Sequence, residues 1–374
     1  MFKYRLYPSS KQIGLLNGQL FEACRLYNAA LQERKDCYAK TGRSISYGEQ
    51  SGYLKGISAD GDSSLANFSC SQRVLKRLDK AYKAFFSRIK KGGKAGFPRF
   101  KSARRFDSID FTFGDGCGIT KDKKVRTQGI GCIKVKWHRP TTGNIKAVSI
   151  KRKAGRWYVS FAVDCQSAPL PKIEKAVGID VGLEHFLVTS DAEFIANPRY
   201  YRKGQASLRV SARSVARKKK GSKSRRKAVV VLQGRHEHVA NQRLDFQHKL
   251  SRNLVDRYGK IAVEDLNIKG LSGGMLAKSV HDAGWSQFLN FVSYKAEEAG
   301  RDFVKVNPRG TSQECLCGKP VKKDLSVRIH HCVHCGLTAP RDFVSACLIL
   351  NRARTGPQCL NVEVTDSCVA LEAA

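Results

Sequence analysis

The spacing of apolar residues changes twice along this chain, and that change limits the fold more than any single motif does. Apolar side chains recur every three or four positions in residues 10–41 and again in residues 74–89, which predicts two amphipathic helices. Apolar and polar residues alternate within residues 107–165, which predicts short strands. From Ala176 onward, apolar strands alternate with helical segments, which indicates an α/β sheet. The pattern therefore predicts a multi-domain α/β protein.

The first residues predict a strand of their own. Residues 2–7 alternate between apolar and polar side chains, and the spacing of Ser9 and Gln12 is that of a capping box, which starts a helix. We expect this strand to join the strands of residues 107–165 in a small antiparallel β-barrel, with residues 10–100 inserted as a helical lobe.

The net charge of the chain identifies the kind of partner. Sixty-eight Lys and Arg against 32 Asp and Glu give the 374 residues a charge of +36. Because so much like charge repels itself, we expect a polyanionic partner, and nucleic acid fits better than a membrane surface. The longest apolar run, Ala228–Leu232, is too short for a membrane span. Near the N-terminus, charged residues stand where a signal peptide would have its apolar stretch. We expect a soluble, intracellular prokaryotic protein, cytoplasmic or nucleoid-associated.

Two groups of basic residues are candidates for contact with nucleic acid. One lies on the polar face of the helix at residues 74–89, and the other is the run Arg217–Lys227, in which eight of eleven residues are basic. The alternative for the first group is a solvated helix face. The alternatives for the second group are a mobile loop and a localisation-like tract. The candidate residues are Arg77, Lys80, Lys218, Lys219, Lys220, Arg225, Arg226 and Lys227.

Three acidic residues occupy positions where an acid is unusual. Asp180 lies in an apolar strand between two glycines, Glu264 ends another apolar strand, and Asp342 opens an apolar helical run. Each alone could be a turn-forming or solvated residue. Together they could meet at one edge of a sheet, where divalent metal would neutralise them. Two Mg²⁺ ions would then activate water and stabilise the leaving oxygen of a phosphodiester.

Four of the thirteen cysteines form a pattern typical of a zinc ribbon. They are Cys315, Cys317, Cys332 and Cys335. A glycine follows each second cysteine and permits a tight turn, and four protein ligands would make the zinc structural. The first pair is one residue short of the usual spacing, so a histidine could replace one ligand, or the thiols could hold no metal. The candidates for replacement are His330, His331 and His334.

The order of four motifs resembles that of TnpB, the transposon-encoded RNA-guided nucleases related to type V CRISPR effectors. The motifs are Gly178-Ile-Asp-Val-Gly182, Val263-Glu-Asp-Leu-Asn267, the ribbon entered through Thr311-Ser-Gln313, and Arg341-Asp342. Tyr4-Arg-Leu-Tyr-Pro8, Gly96-Phe-Pro-Arg-Phe-Lys101 and Ala283-Gly-Trp285 support the resemblance, which covers residues 1–354.

The resemblance implies a division into domains. It implies an RNase H-like (RuvC) nuclease domain with an inserted zinc ribbon, and a β-barrel wedge domain that carries a helical recognition lobe. The expected bounds are 1–9 and 101–170 for the wedge domain, 10–100 for the recognition lobe, 171–310 and 337–354 for the nuclease domain, and 311–336 for the ribbon. Residues 355–374 contain no Lys or Arg and are expected to be a disordered tail.

The resemblance also implies an activity. Asp180, Glu264 and Asp342 would bind two catalytic Mg²⁺ ions of a DNA endonuclease. A monomer would hold a transposon-derived noncoding guide RNA, which pairs with target double-stranded DNA beside a short flanking motif read by the protein. Pro340 and Val344 depart from the family pattern, which has an acid and an Asn there. The alternatives are a guided repressor that has lost catalysis, a DNA transposase acting without RNA, and a miniature CRISPR effector.

Overall fold

The structure, a computed structural model, describes residues 1–59, 65, 67–165, 169–324 and 326–355. The chain divides into two units, residues 1–166 and 167–374. Apart from Thr355, the tail expected at residues 355–374 lies outside the described residues. None of the described helices is long and apolar enough to cross a membrane.

The first unit contains a closed barrel of seven strands, in the order β1-β5-β4-β3-β2-β6-β7. The strands are β1 (Phe2–Tyr7), β2 (Ser108–Phe113), β3 (Gly116–Ile119), β4 (Val125–Thr127), β5 (Gly131–Lys136), β6 (Asn144–Lys153) and β7 (Arg156–Asp164). The predicted barrel is confirmed, and β1 closes it by pairing with both β5 and β7. The expectation of a wholly antiparallel barrel is wrong at one pair. Strands β2 and β3 run parallel, because the chain bends at Gly114 and Gly116, which both have positive φ.

Three helices lie between β1 and β2 in the sequence. They are α1 (Ser10–Thr41), α2 (Tyr47–Ala59) and α3 (Phe68–Lys90). The predicted capping box starts α1, since Gln12 N–H donates to the Ser9 hydroxyl and Ser9 N–H donates to the Gln12 side chain. Leu16 of α1, Leu78 of α3 and Val148 of β6 belong to one buried apolar cluster, so helices and barrel share a core.

The second unit is built on a mixed sheet with the order β10-β9-β8-β11-β12. The strands are β8 (Ala176–Asp180), β9 (His185–Thr189), β10 (Phe194–Ala196), β11 (Lys260–Glu264) and β12 (Asp302–Val306). Strands β8, β11 and β12 are parallel, and β9 and β10 extend the sheet antiparallel. The predicted combination of strands and helices is confirmed.

Helices cover both faces of this sheet. The remaining elements are α4 (Tyr200–Ala216), α5 (Lys223–Arg257), α6 (Ile268–Leu271), α7 (Ala277–Ala283), α8 (Trp285–Ala299), β13 (Ile329–His331), β14 (Thr338–Pro340) and α9 (Arg341–Thr355). Ile179 and Val263 face a core shared with α5 and α8, whereas Ala262 packs with Ile349 of α9 on the opposite face. Because side chains alternate between the two faces along each strand, α9 packs on the face opposite to α5 and α8.

Candidate active site

Two acidic residues end neighbouring parallel strands. Asp180 is the last residue of β8, and Glu264 is the last residue of β11. Val263 pairs with Ile179 in the ladder, so the two acids follow at equivalent positions on the same edge of the sheet. The sheet topology therefore brings together two of the three acids predicted from the sequence.

The third acid, Asp342, reaches the same edge from the first turn of α9, where its charge acts on Asp180. A close approach of α9 to β8 makes this possible. A Cβ atom added to Gly178 would stand 2.7 Å from the Leu350 nitrogen and would overlap the Ala346 carbonyl oxygen. Because Gly178 has no side chain, α9 lies directly against the strand that ends in Asp180.

The ionised forms of Asp180 and Glu264 are disfavoured where they lie, which suits a metal site. Burial raises the pKa of Asp180 well above its usual range, and the charges of Glu264 and Asp342 raise it further, while Arg341 acts in the opposite direction. Burial also raises the pKa of Glu264. Within the described residues, Asp180 forms no ion pair. Carboxylates that act on one another electrostatically and have few counter-charges are the kind of ligand that Mg²⁺ takes in proteins.

Two further residues contact the acids and were not singled out as site residues from the sequence. Thr311 is 3% exposed and donates its hydroxyl hydrogen bond to the Glu264 carboxylate. Arg341 forms an ion pair with Asp342 at 3.8 Å. Both lie in motifs read from the sequence, but neither follows a periodic pattern that would indicate its partner.

The four predicted cysteines form a cluster in which the sulfur atoms all lie within 4.8 Å of one another. The Sγ atoms of Cys315 and Cys335 are 3.5 Å apart, and those of Cys317 and Cys332 are 3.7 Å apart. A tetrahedral ion with Zn–S bonds of about 2.3 Å places its ligands about 3.8 Å apart, so the cluster fits zinc. The short first knuckle therefore does not separate its two thiols from the others.

The three nearby histidines lie outside this cluster of possible ligands. His330 is fully buried and its Nδ1 lies 2.5 Å from the Lys323 ammonium, while the Nδ1 of His331 contacts the Thr338 hydroxyl. Since the four thiols already lie close enough together to hold one ion, a histidine is not needed in place of a cysteine.

Three family models match successive parts of the chain. A model described as "Helix-turn-helix domain" matches residues 1–43, one described as "Probable transposase" matches residues 159–274, and one described as "Cas12f1-like, TNB domain" matches residues 285–349. The second range contains Asp180 and Glu264, and the third contains Asp342 and the cysteine cluster. In residues 1–43 the structure has a strand followed by one long helix rather than two helices.

Individual relatives match the chain in part or over nearly its whole length. The "TnpB-like protein L79" of Acanthamoeba polyphaga mimivirus is 30% identical over 138 residues, which cover 34% of this chain and 26% of that protein. A protein of Streptomyces pristinaespiralis named "Putative RNA-guided DNA endonuclease" is 31% identical over 376 residues, which cover 96% of this chain and 90% of the relative. This chain belongs to the TnpB family. "Putative RNA-guided DNA endonuclease InsQ" of Escherichia coli K12 is 28% identical, with 93% and 91% covered.

The two departures from the TnpB pattern have structural roles here. Pro340 is the last residue of β14 and pairs with Ile329, and Val344 is 1% exposed in an apolar cluster with Val188 and Leu348. With these residues in place, the charge of Asp342 acts on Asp180.

In this TnpB-family chain, the basic run lies at the turn between α4 and α5. Lys219 and Lys220 are exposed in the turn, and Arg226 and Lys227 are exposed in the first turns of α5. Arg225 is half-buried, because its Nε donates to the Val215 carbonyl at 3.4 Å. A cavity of about 670 Å³ between the two helices is lined by four basic residues and by serine and valine side chains. The basic lining residues are Lys218, Lys223, Lys227 and Arg235.

The basic face of α3 is only partly open. Arg77 donates to the Asp110 carboxylate at 2.6 Å and to the Ser108 carbonyl at 3.2 Å, which ties α3 to β2. Lys80 is exposed. Of the two residues predicted on this helix, Lys80 thus remains available to a ligand, and the Arg77 guanidinium is engaged within the first unit.

Proposed function

We propose that this chain is an RNA-guided DNA endonuclease of a transposable element, which cleaves target DNA beside a short flanking motif. The observation that carries the proposal is that Asp180 and Glu264 end neighbouring parallel strands, and that the charge of Asp342 acts on Asp180, in a member of the TnpB family. The relatives' names, which describe RNA-guided action on DNA, support the substrate and the guide.

The mixed sheet and α9 would form an RNase H-like nuclease domain of the RuvC type. Asp180, Glu264 and Asp342 would hold two Mg²⁺ ions, which when bound supply an activated water and stabilise the leaving oxygen of a phosphodiester. The chain's own part is to hold three carboxylates in place, each fixed by a different element. Arg341 partly offsets the charge of the cluster beside Asp342.

The four-cysteine cluster would be a structural zinc ribbon inserted before α9. The left-handed conformations of Gly318 and Gly336, with φ of 79° and 72°, allow the chain to turn after each second cysteine. Four thiolates would complete the coordination of one Zn²⁺, so the ribbon would stabilise the fold and bind no substrate through its metal.

Guide RNA and target DNA would bind to surfaces that are rich in basic side chains. Between Glu193 and Glu237 the chain has no Asp or Glu, and this segment contains the exposed lysines of the α4–α5 turn. On the barrel, Lys136, Arg5, Tyr158 and Lys151 form one outward row across β5, β1, β7 and β6. Such rows of cations and aromatic rings suit phosphates and bases. We propose that one protein monomer binds one guide RNA.

The test uses protein expressed with its native flanking DNA, so that a guide RNA copurifies. The complex is incubated with Mg²⁺ and a plasmid library that carries the guide's target beside randomised flanks. Cleavage restricted to one flank is expected, and E264Q should abolish it. The matched control is D265N, which alters the adjacent acid, where Asp265 is exposed and pairs with Lys305 at 3.0 Å.

Other results would favour the other candidates. Flank-specific binding without cleavage would support a guided repressor, and strand transfer at transposon ends by RNA-free protein would support a transposase. Equal cleavage by wild type and E264Q would contradict the proposed site.

A further inference from the structure

The loop that leads into the cysteine ribbon reaches the acid cluster through Thr311. Its hydroxyl has one proton and two neighbouring acceptors, the Glu264 carboxylate and the Pro308 carbonyl at 2.9 Å. The carboxylate is the stronger acceptor, because hydrogen bonds to a charged group are roughly twice as strong as neutral ones. Thr311 is nearly fully buried, so water does not compete for this contact.

Thr311 is itself held by α9. Its carbonyl accepts a hydrogen bond from Ser345, which lies three residues after Asp342. Arg352 donates to the carbonyls of Asn307 and Arg309, both at 2.8 Å, on the N-terminal side of Thr311. The loop therefore cannot move without breaking contacts to the helix that supplies the third acid.

The far side of the loop is fixed by the ribbon. Gln313 forms two hydrogen bonds with the backbone of Lys323 in the ribbon, at 2.8 and 2.9 Å. Glu314, the next residue, pairs with Arg352 of α9 at 2.7 Å. Cys315, the first possible metal ligand, follows at once. A metal in the four-cysteine cluster would thus hold the segment that begins four residues earlier at Thr311.

We infer that Thr311 is a positioning residue of the nuclease site, which orients the Glu264 carboxylate, and that the ribbon maintains Thr311 in place. The metal affinity of the carboxylates therefore depends on the ribbon, although the cysteines do not touch them. The inference rests on the proposed function, since it takes the acid cluster as the divalent-metal site. Outer hydrogen-bond partners of metal ligands typically contribute 10–100-fold in metal affinity.

The experiment measures Mn²⁺ binding to the RNA complex by electron paramagnetic resonance, together with the Mg²⁺ concentration for half-maximal cleavage. T311V keeps the shape of the side chain and removes the donor, T311S keeps the donor, and S312A alters the exposed neighbour. We expect T311V to weaken Mn²⁺ binding about tenfold or more and to raise the Mg²⁺ requirement, while T311S and S312A stay near wild type. Wild-type Mn²⁺ affinity in T311V would overturn the role of Thr311.

The ribbon is tested with C335S, whose site is exposed, after zinc content has been measured. Weaker Mn²⁺ binding in C335S with the acids intact supports the link, and unchanged binding contradicts it. D180N separates this inference from the proposed function. If D180N binds Mn²⁺ like wild type, the acids are not the metal site. If D180N loses Mn²⁺ and T311V does not, only the present inference fails.

Discussion

Gly178 and Ala346 lie so close together that no side chain fits between β8 and α9. The contact sets the distance between the strand that ends in Asp180 and the helix that begins beside Asp342. It therefore connects packing in the core to the geometry of the carboxylates.

The first prediction concerns this contact. In G178A the new methyl group would collide with the backbone of α9, which cannot rotate away as a side chain can. We expect a loss of roughly 1–3 kcal/mol or more in the free energy of unfolding, together with a large loss of cleavage. Chemical denaturation measures the first effect. G234A is the control, since nothing lies within 4 Å of its added methyl group on α5.

The second prediction concerns the charge of the acid cluster. Because the pKa of Asp180 is raised in the folded protein, its ionised form destabilises the fold at neutral pH in the absence of metal. D180N should therefore raise the melting temperature in EDTA, by the equivalent of about 1 kcal/mol, and abolish the gain that Mg²⁺ gives the wild type. The difference in EDTA should shrink as the pH falls and Asp180 becomes protonated. A lower melting temperature for D180N in EDTA would contradict this account.

The third prediction concerns Lys295, which is 6% exposed on α8 and donates to the His248 carbonyl and the Ser251 hydroxyl at 2.7 and 2.8 Å. Burial lowers the pKa of Lys295 from 10.5 to about 8. Between these two values the unfolded chain binds more protons than the folded one, so stability contributed by this group rises with pH. Denaturation at pH 7.5 and pH 10 should show this rise in the wild type and a smaller rise in K295M. Equal slopes would show that Lys295 keeps its ordinary pKa.

The fourth prediction concerns the basic turn between α4 and α5. Replacing Lys218, Lys219 and Lys220 by alanine should weaken RNA binding and flatten the dependence of log K on log salt, by about one unit for each lost phosphate contact. K249A is the control, because Lys249 lies near the other end of α5 and already pairs with Asp245 at 2.7 Å. A salt slope unchanged by the triple substitution would remove this turn from the interface.

The position of Glu264 at the end of an apolar strand was predictable from the sequence. Asp180 was expected inside an apolar strand, and the structure places it at the end of β8, on the same sheet edge as Glu264. The contact of Thr311 with Glu264 was not predictable, since it depends on how a loop without periodic pattern is anchored to α9. The engagement of Arg77 by Asp110 was missed for a similar reason, because it requires the packing of α3 on β2.

Local sequence also explains two errors in the prediction, one in the helical lobe and one in the barrel. Helix α2 was not predicted, because its glycines at 48, 52 and 56 weaken both helix propensity and the apolar pattern. The parallel pair of β2 and β3 follows from two glycines with positive φ, a conformation that strand periodicity does not reveal.

Strand β1 is the first segment of the barrel to leave the ribosome, yet its partners β5 and β7 begin only at residues 131 and 156. During synthesis this strand has no barrel partner until β5 has been made, and the barrel cannot close before β7 ends at Asp164. A chain started from an internal codon after Tyr7 would have no such strand, and β5 and β7 would each keep an unpaired edge. Exposed strand edges recruit other chains. Products that lack β1 should therefore aggregate.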